Sequence, residues 1–174
     1  DALPDVAIFS EEDPDDGSRF DKRRVIVVDP IDGTRAFIQG RDEWCVSIAL
    51  MDNGAPVAGT IFAPARNELF EAVSGGGAFL NGRRIAPIAP HSAAQTRIAG
   101  PNALLTALTQ ADSGLVAAPA LRALAYRLAA VAGGHIDVAL ASEGAHDWDI
   151  AAAAVILAET GIELLAANGL PPVY

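Results

Sequence analysis

Two Asn-Gly pairs constrain this chain more than any other feature. Asn53-Gly54 and Asn81-Gly82 each stand between apolar runs. Both residues of such a pair tolerate positive φ, so each pair predicts a tight hairpin. Trp44–Ala63 is therefore expected to be two strands turning at Asp52-Asn53-Gly54. Residues 67–73 and 77–85 repeat the theme around a Gly75-Gly76-Gly77 break and the second Asn-Gly turn, and the whole stretch reads as an antiparallel meander.

Ahead of the meander, Val6 to Phe9 reads as a strand ending at Ser10-Glu11-Glu12. Val25 to Val28 is a β-branched run without alternation, expected for a strand buried on both faces. It is expected to stop at Asp29-Pro30, because proline lacks a donor and restricts its predecessor. After Pro90 the texture becomes alanine-rich. Helices are expected at Leu104–Gln110, at Ala120–Ala132 with Leu121, Leu124, Leu128 and Val131 on one face, and at Asp147–Glu159, closed by Gly161. Ile136–Ala141 reads as a strand, and Ile162–Leu165 as the start of another. Strands first, then alternating helix and strand, predict a mixed α/β sandwich.

Hydrophobic residues make up 51% of the 174 and charged residues 20%, which excludes global disorder. The net charge of −10 excludes a nucleic-acid-binding domain held by a basic surface. Within residues 1–52 lie 13 of the 22 acids against 6 of the 12 bases. The single cysteine, Cys45, suits a reducing cytoplasm, and no signal peptide or membrane-crossing run is visible. Asp1 in place of methionine, and the Pro-Pro loop before Tyr174, lead to the expectation that both ends are cut.

The chemistry concentrates after the buried strand, in Asp29-Pro-Ile-Asp32-Gly-Thr34. Gly33 permits a tight turn, and Thr34–Ile38 is placed to open a helix whose free N–H groups attract phosphate. Two hard oxygen ligands beside an anion site are what a magnesium-assisted phosphate reaction requires. The same spacing also fits Asp29 capping a turn and Asp32 capping the next helix. Two further clusters weigh against that plainer account. Glu11 and Glu12 end a strand expected beside Asp29. His146-Asp147-Trp148-Asp149 opens the last long helix, with Asp147 in the N-cap position, Asp149 free to point elsewhere, and Trp148 wedged against the core. Asp13–Gly17 lacks EF-hand spacing and Gly75–Gly77 lacks the lysine of a P-loop. His91, His135 and Cys45 read as isolated, and no nucleophile elbow is present.

Asp29-Pro-Ile-Asp-Gly-Thr34 followed by Trp148-Asp149-Ile-Ala-Ala152 resembles the paired motif of the inositol monophosphatase superfamily. Glu11-Glu12, the Trp44–Ala63 hairpin and Gly77–Gly82 fit the same resemblance, which covers essentially the whole chain. It implies a layered αβαβα sugar-phosphatase sandwich with mixed sheets. Residues 1–90 would form the metal- and phosphate-binding α+β part, and 91–174 an α/β part carrying the Trp-Asp motif, as one catalytic unit. It further implies a homodimeric, lithium-sensitive enzyme acting on a small phosphorylated metabolite with two or three Mg²⁺ ions. Glu11 would bridge metals, with Asp29 shared, Ile31 contributing its carbonyl, and Asp32 and Asp149 completing the set. Gly33 and Thr34 would hold phosphate, and Thr34 would help orient a metal-activated water.

Family members carry N-terminal helices before the Glu-Glu motif, which supply a further acid, and continue past the position of Tyr174 with a strand and a helix. Only ten residues precede Glu11 here. In inositol phosphatases the place of Ser142 holds an acid that contacts the ring; here Glu143 is adjacent, and both are assigned to the substrate. Arg35 and Arg127 are candidate contacts for phosphate or leaving group, or solvated helix arginines. Ser10-Glu-Glu-Asp leans towards bisphosphate nucleotidases and Thr34–Ile38 towards histidinol-phosphatase-like members. Inositol phosphate, bisphosphate nucleotide and histidinol phosphate all stay open. The competing expectation is a regulatory or partner-binding member that keeps the fold with weakened catalysis.

Overall fold

A computed structural model of the chain describes residues 5–87 and 95–174. Seven strands form one sheet in sequence order: β1 (Val6–Ser10), β2 (Arg24–Asp32), β3 (Cys45–Asp52), β4 (Ala55–Ala63), β5 (Glu68–Val73), β6 (Gly77–Leu80) and β7 (Arg83–Arg84). β1 runs parallel to β2, and every later pair is antiparallel. The meander turns where expected. Asn53 and Gly54 sit at φ 52° and 76°, and Asn81 and Gly82 at 51° and 73°, the left-handed pairs that a two-residue hairpin demands.

A smaller parallel sheet holds β8 (Thr96–Ala99) between β9 (Leu115–Ala117) and β10 (Val138–Ala139). The helices are α1 (Thr34–Ile38), α2 (Asn102–Ala111), α3 (Leu124–Ala132) and α4 (Asp147–Glu159). α4 lies on β3 and β4, and α3 packs beside it and reaches β10. The approach is close because the facing residues are small. A Cβ on Gly59 would stand 2.4 Å from the carbonyl oxygen of Ala152, so only glycine fits there. Ala49, Ala151, Ala152 and Ala153 continue this seam, while Phe70, Ile61, Tyr126 and Ile156 fill the core. No helix among the described residues is long and apolar enough to cross a membrane.

Several expectations need correction. β2 does not stop at Pro30 but runs to Asp32. Its partner β1 ends opposite Val28, and the β3 register slips between Asp29 and Asp32, so no ladder bond is asked of the missing N–H. β2 is also not buried on both faces: Val27 is buried, but Val25, Ile26 and Val28 are only partly covered. α3 starts four residues later than expected: residues 120–123 are irregular, and the N-cap Ala123 is extended. The expected strand at Ile136–Ala141 shrinks to two residues. Ile162–Leu165 is irregular, with no pairing neighbour among the described residues. β8 and β9 went unread. His91 lies outside the described residues.

Candidate active site

On a regular strand, residues three apart face opposite ways. Asp29 pairs with Ser47 and Asp32 with Cys45, so β2 spends three residues where β3 spends two. This bulge turns both aspartates to the inner face, where Asp29 is 1% exposed and Asp32 7%. The Asp29 Oδ1 accepts the N–H of Ile31 at 2.9 Å, which closes the bulge locally. Gly33 follows at φ 86°, a left-handed position; a Cβ there would stand 2.9 Å from the carbonyl oxygen of Glu43 and 3.1 Å from Ala123 Cβ. Asp32 is held by the start of α3, its Oδ2 accepting the N–H of Ala125 at 2.6 Å, with Cys45 Sγ at 3.8 Å.

The third carboxylate arrives on α4. Its N-cap is His146 rather than Asp147, and Asp149 at the third helical position accepts the N–H of His146 at 2.8 Å. Asp147 instead meets Arg19 at 3.3 Å. Trp148 docks on Phe9 with ring centroids 4.9 Å apart, and its carbonyl accepts the hydroxyl of Ser47 at 3.0 Å. These contacts fix the first turn of α4 over β3. Asp29, Asp32 and Asp149 thereby offer carboxylate oxygens all within 4.8 Å of one another, a group able to hold a metal ion.

Crowding and burial reshape their titration. Burial, then Asp32 and Glu11 nearby, push Asp29 up to about 8. Burial raises Asp32 to about 6 against the N–H groups of Ala125 and Leu124, and the Asp149 charge adds to the rise. Burial also raises Asp149. Glu11 stands beside Asp29, where the β1–β2 pairing continues through a bond from Glu11 N to Val28 O at 3.2 Å.

Across Gly33 lies a cleft of about 570 Å³, lined by Thr34, Arg35, Asn102, Arg122 and Arg127 among others. It sits past the carboxyl ends of β8 and β9, the usual ligand position for parallel strands.

The inositol monophosphatase family model matches residues 1–174. The chain belongs to the inositol monophosphatase family. It is 36% identical over 172 residues to the inositol monophosphatase of Dictyostelium discoideum, covering 91% of this chain and 62% of the relative. Over 73 residues it is 44% identical to the 3'(2'),5'-bisphosphate nucleotidase CysQ of Escherichia coli (strain K12), covering 41% of this chain and 30% of that protein. The Thermotoga maritima IMPase structure superposes with a TM-score of 0.84 at 29% identity, covering 99% of this chain and 67% of that one. The chain thus spans about two thirds or less of the length of these relatives.

Within this inositol monophosphatase fold, most of the residues singled out from sequence converge. Asp29, Asp32 and Asp149 meet directly, and Glu11 borders Asp29. The Ile31 carbonyl accepts the Thr34 hydroxyl at 3.0 Å. Gly33 and Thr34 line the cleft, but Ser142 and Glu143 do not; both are exposed on the loop before α4. Cys45 and His135 are not isolated. Cys45 touches Asp32, and His135 Nε2 lies 3.4 Å from Glu68 Oε1. Two supporting residues went unread. Ser47 was visible only as one small polar side chain in an apolar strand. Glu43 is 7% exposed with Oε2 unpartnered, and nothing in its local pattern marks it as buried.

Proposed function

We propose that this protein hydrolyses a small phosphate monoester with Mg²⁺ as cofactor. The observation that carries the reading is the meeting of Asp29, Asp32 and Asp149 within 4.8 Å. Carboxylates this close and this covered are costly to ionise unless a cation joins them; burial first, and then the neighbouring charges, raise Asp29 to about 8 and Asp32 to about 6. The donor set is entirely oxygen, which suits Mg²⁺ better than Zn²⁺. Glu11, Asp29, Asp32, Asp149 and the Ile31 carbonyl would hold two or three ions. When bound there, Mg²⁺ would make a water easier to deprotonate, so that it could attack phosphorus as hydroxide, and would offset charge on the leaving oxygen.

The protein's own groups do the rest. The Thr34 hydroxyl donates a hydrogen bond to Ile31 O, so its oxygen would be left to accept from, and so orient, the attacking water. The N–H groups of Gly33 and Thr34 would bind the phosphate, in a backbone shape that Gly33 alone permits. Ser142 and Glu143 would contact the leaving group from the loop before α4. The N–H groups of Ala125 and His146 hold Asp32 and Asp149 in fixed orientations, so ligand geometry is set before substrate arrives.

The test is phosphate release by the complete protein from inositol monophosphate, a 3',5'-bisphosphate nucleotide and histidinol phosphate, with and without Mg²⁺. Release from at least one substrate that needs Mg²⁺ and collapses in Asp149→Asn is expected. An Asp149→Asn variant as active as the parent would overturn the metal assignment.

A further inference from the structure

The carboxylates proposed to hold the metal come from separate stretches of chain, and Arg19 stands where two of those stretches meet. Glu11 follows β1 and opens a segment that leads to a single 3₁₀ turn at Ser18–Asp21. Asp149 lies in the first turn of α4. The side chain of Arg19 is only 20% exposed. Its Nε donates to Asp15 Oδ2 at 3.0 Å, within its own segment, and its Nη1 donates to Asp147 Oδ2 at 3.3 Å, at the start of α4.

The same guanidinium also lies against two rings, 4.0 Å from the centroid of Phe9 and 4.3 Å from that of Phe20. Phe9 in turn meets Trp148, whose ring stacks on His146 at 4.5 Å. One arginine thus joins a chain of ring contacts from the turn, through the end of β1, to the start of α4. Glu11 lies two residues beyond Phe9, and Asp149 two residues beyond Asp147. The segment otherwise holds itself by local bonds: Asp13 N to Ser10 O, Gly17 N to Asp15 and Ser18 N to Asp16. Among the described residues, the bond from Arg19 to Asp147 is the one hydrogen bond between residues 11–21 and α4. A planar fork that reaches two acceptors while its face packs on rings is a task for arginine rather than lysine. A partly exposed ion pair adds little stability by itself, so orientation is what this arrangement does best.

We infer that Arg19 is a positioning residue for the metal site, locking the segment behind Glu11 to the first turn of α4 so that Glu11 and Asp149 reach one metal group together. This rests on the metal and phosphatase reading above.

Mn²⁺ binding to the complete, metal-free protein is titrated calorimetrically, and Mg²⁺-dependent phosphate release is measured beside it on the three substrates named above. Arg19→Met keeps an apolar stem against the rings and removes the fork; it should weaken Mn²⁺ binding about 10-fold. The Mg²⁺ concentration for half-maximal release should rise by a similar factor, with kcat largely recovered at saturating Mg²⁺. Arg19→Lys should recover part of the loss. Asp147→Asn should match Arg19→Met, and the double variant should be no worse than either, because both remove one tie. Arg23→Met, which breaks an ion pair to Asp52 at 2.8 Å just before β2, should leave Mn²⁺ affinity unchanged. A lower melting temperature with unchanged Mn²⁺ affinity would make the tie merely structural and overturn the inference, as would additive losses in the double variant. Should Arg19→Met fail to fold, Asp147→Asn decides between weakened and unchanged binding. A parent whose Mn²⁺ binding depends on Arg19 but which releases no phosphate would sink the phosphatase reading and leave this role standing. Mg²⁺-dependent release with a midpoint indifferent to Arg19→Met would sink the role and leave the phosphatase reading standing.

Discussion

The two sides of Gly33 are opposite in charge and alike in imbalance. On one side Asp29, Asp32 and Asp149 crowd together with no cation within the group. On the other, Arg127 is buried without an anionic partner among the described residues, below two exposed arginines. An ordinary core would pair such charges with each other. Here the left-handed turn at Gly33 holds them apart, and the start of α3 serves both, through Ala125 N on Asp32 and Arg127 two residues on. The difference teaches that the fold keeps like charges together on each side of Gly33 instead of pairing them across it, which costs stability on both sides.

The comparison breaks most completely at Asp29. Asp29→Asn should lower Mg²⁺-dependent phosphate release at least about 100-fold. The metal-free melting temperature should not fall, because the change removes a carboxyl that burial makes costly to ionise and keeps an acceptor for Ile31 N. A variant that loses stability and keeps activity would reverse this account.

Acidity sharpens the same side. Asp29 at about 8 and Asp32 at about 6 both titrate above their ordinary 3.8. The folded, metal-free chain therefore binds more protons than the unfolded chain between about pH 4 and 8, and stability must fall as pH rises through that window. Thermal melts without metal should run roughly 5 °C or more higher at pH 5 than at pH 8. Mg²⁺ should raise the melting point more at pH 8 than at pH 5. A flat metal-free profile would remove the charge crowding from the argument.

The divider itself comes next. Gly33→Ala must adopt φ 86° and press a Cβ on Glu43 O, so a loss of about 1–3 kcal/mol is expected by denaturant titration. Mg²⁺-dependent phosphate release should fall with it, since the turn carries the Gly33 and Thr34 N–H groups proposed to bind phosphate. The smallest effect is expected for Ser47→Ala, about 1 kcal/mol, from the lost bond to the Trp148 carbonyl. A modest weakening of the Mg²⁺ requirement's midpoint should accompany it, because that bond seats the helix carrying Asp149.

Much of this was legible from local chemistry. The hairpins could be read because an Asn-Gly pair carries its own backbone preference, and α4 because apolar residues fill a run bounded by Asp147 and Gly161. The membership of Asp29, Asp32 and Asp149 in one group was legible as a motif, but not as geometry. An i, i+3 pair on a strand should diverge, and only a slip against β3 brings the two to one face. The start of α3 was misplaced for a similar reason. Asp32, far away in sequence, supplies the acceptor that fixes where the helix begins. β8 and β9 escaped, and β10 is shorter than its apolar run suggests, because short parallel strands are chosen by distant neighbours. The opposite face of the large sheet gave the remaining surprise. Ile8 on β1 is 71% exposed, Val73 on β5 59% and Ile48 on β3 41%, so the unbroken apolar runs of this sheet present two apolar faces, of which only one is covered among the described residues.

The three aspartates also have a topological consequence. Asp29 and Asp149 sit at opposite ends of the chain's course, and nearly every strand and helix lies between them. An ion gripped by both ties off a loop of about 120 residues, and the entropy removed by such a closure grows with the logarithm of loop length. The metal would then work as a reversible clasp, reporting by its release that the two ends of the fold have parted.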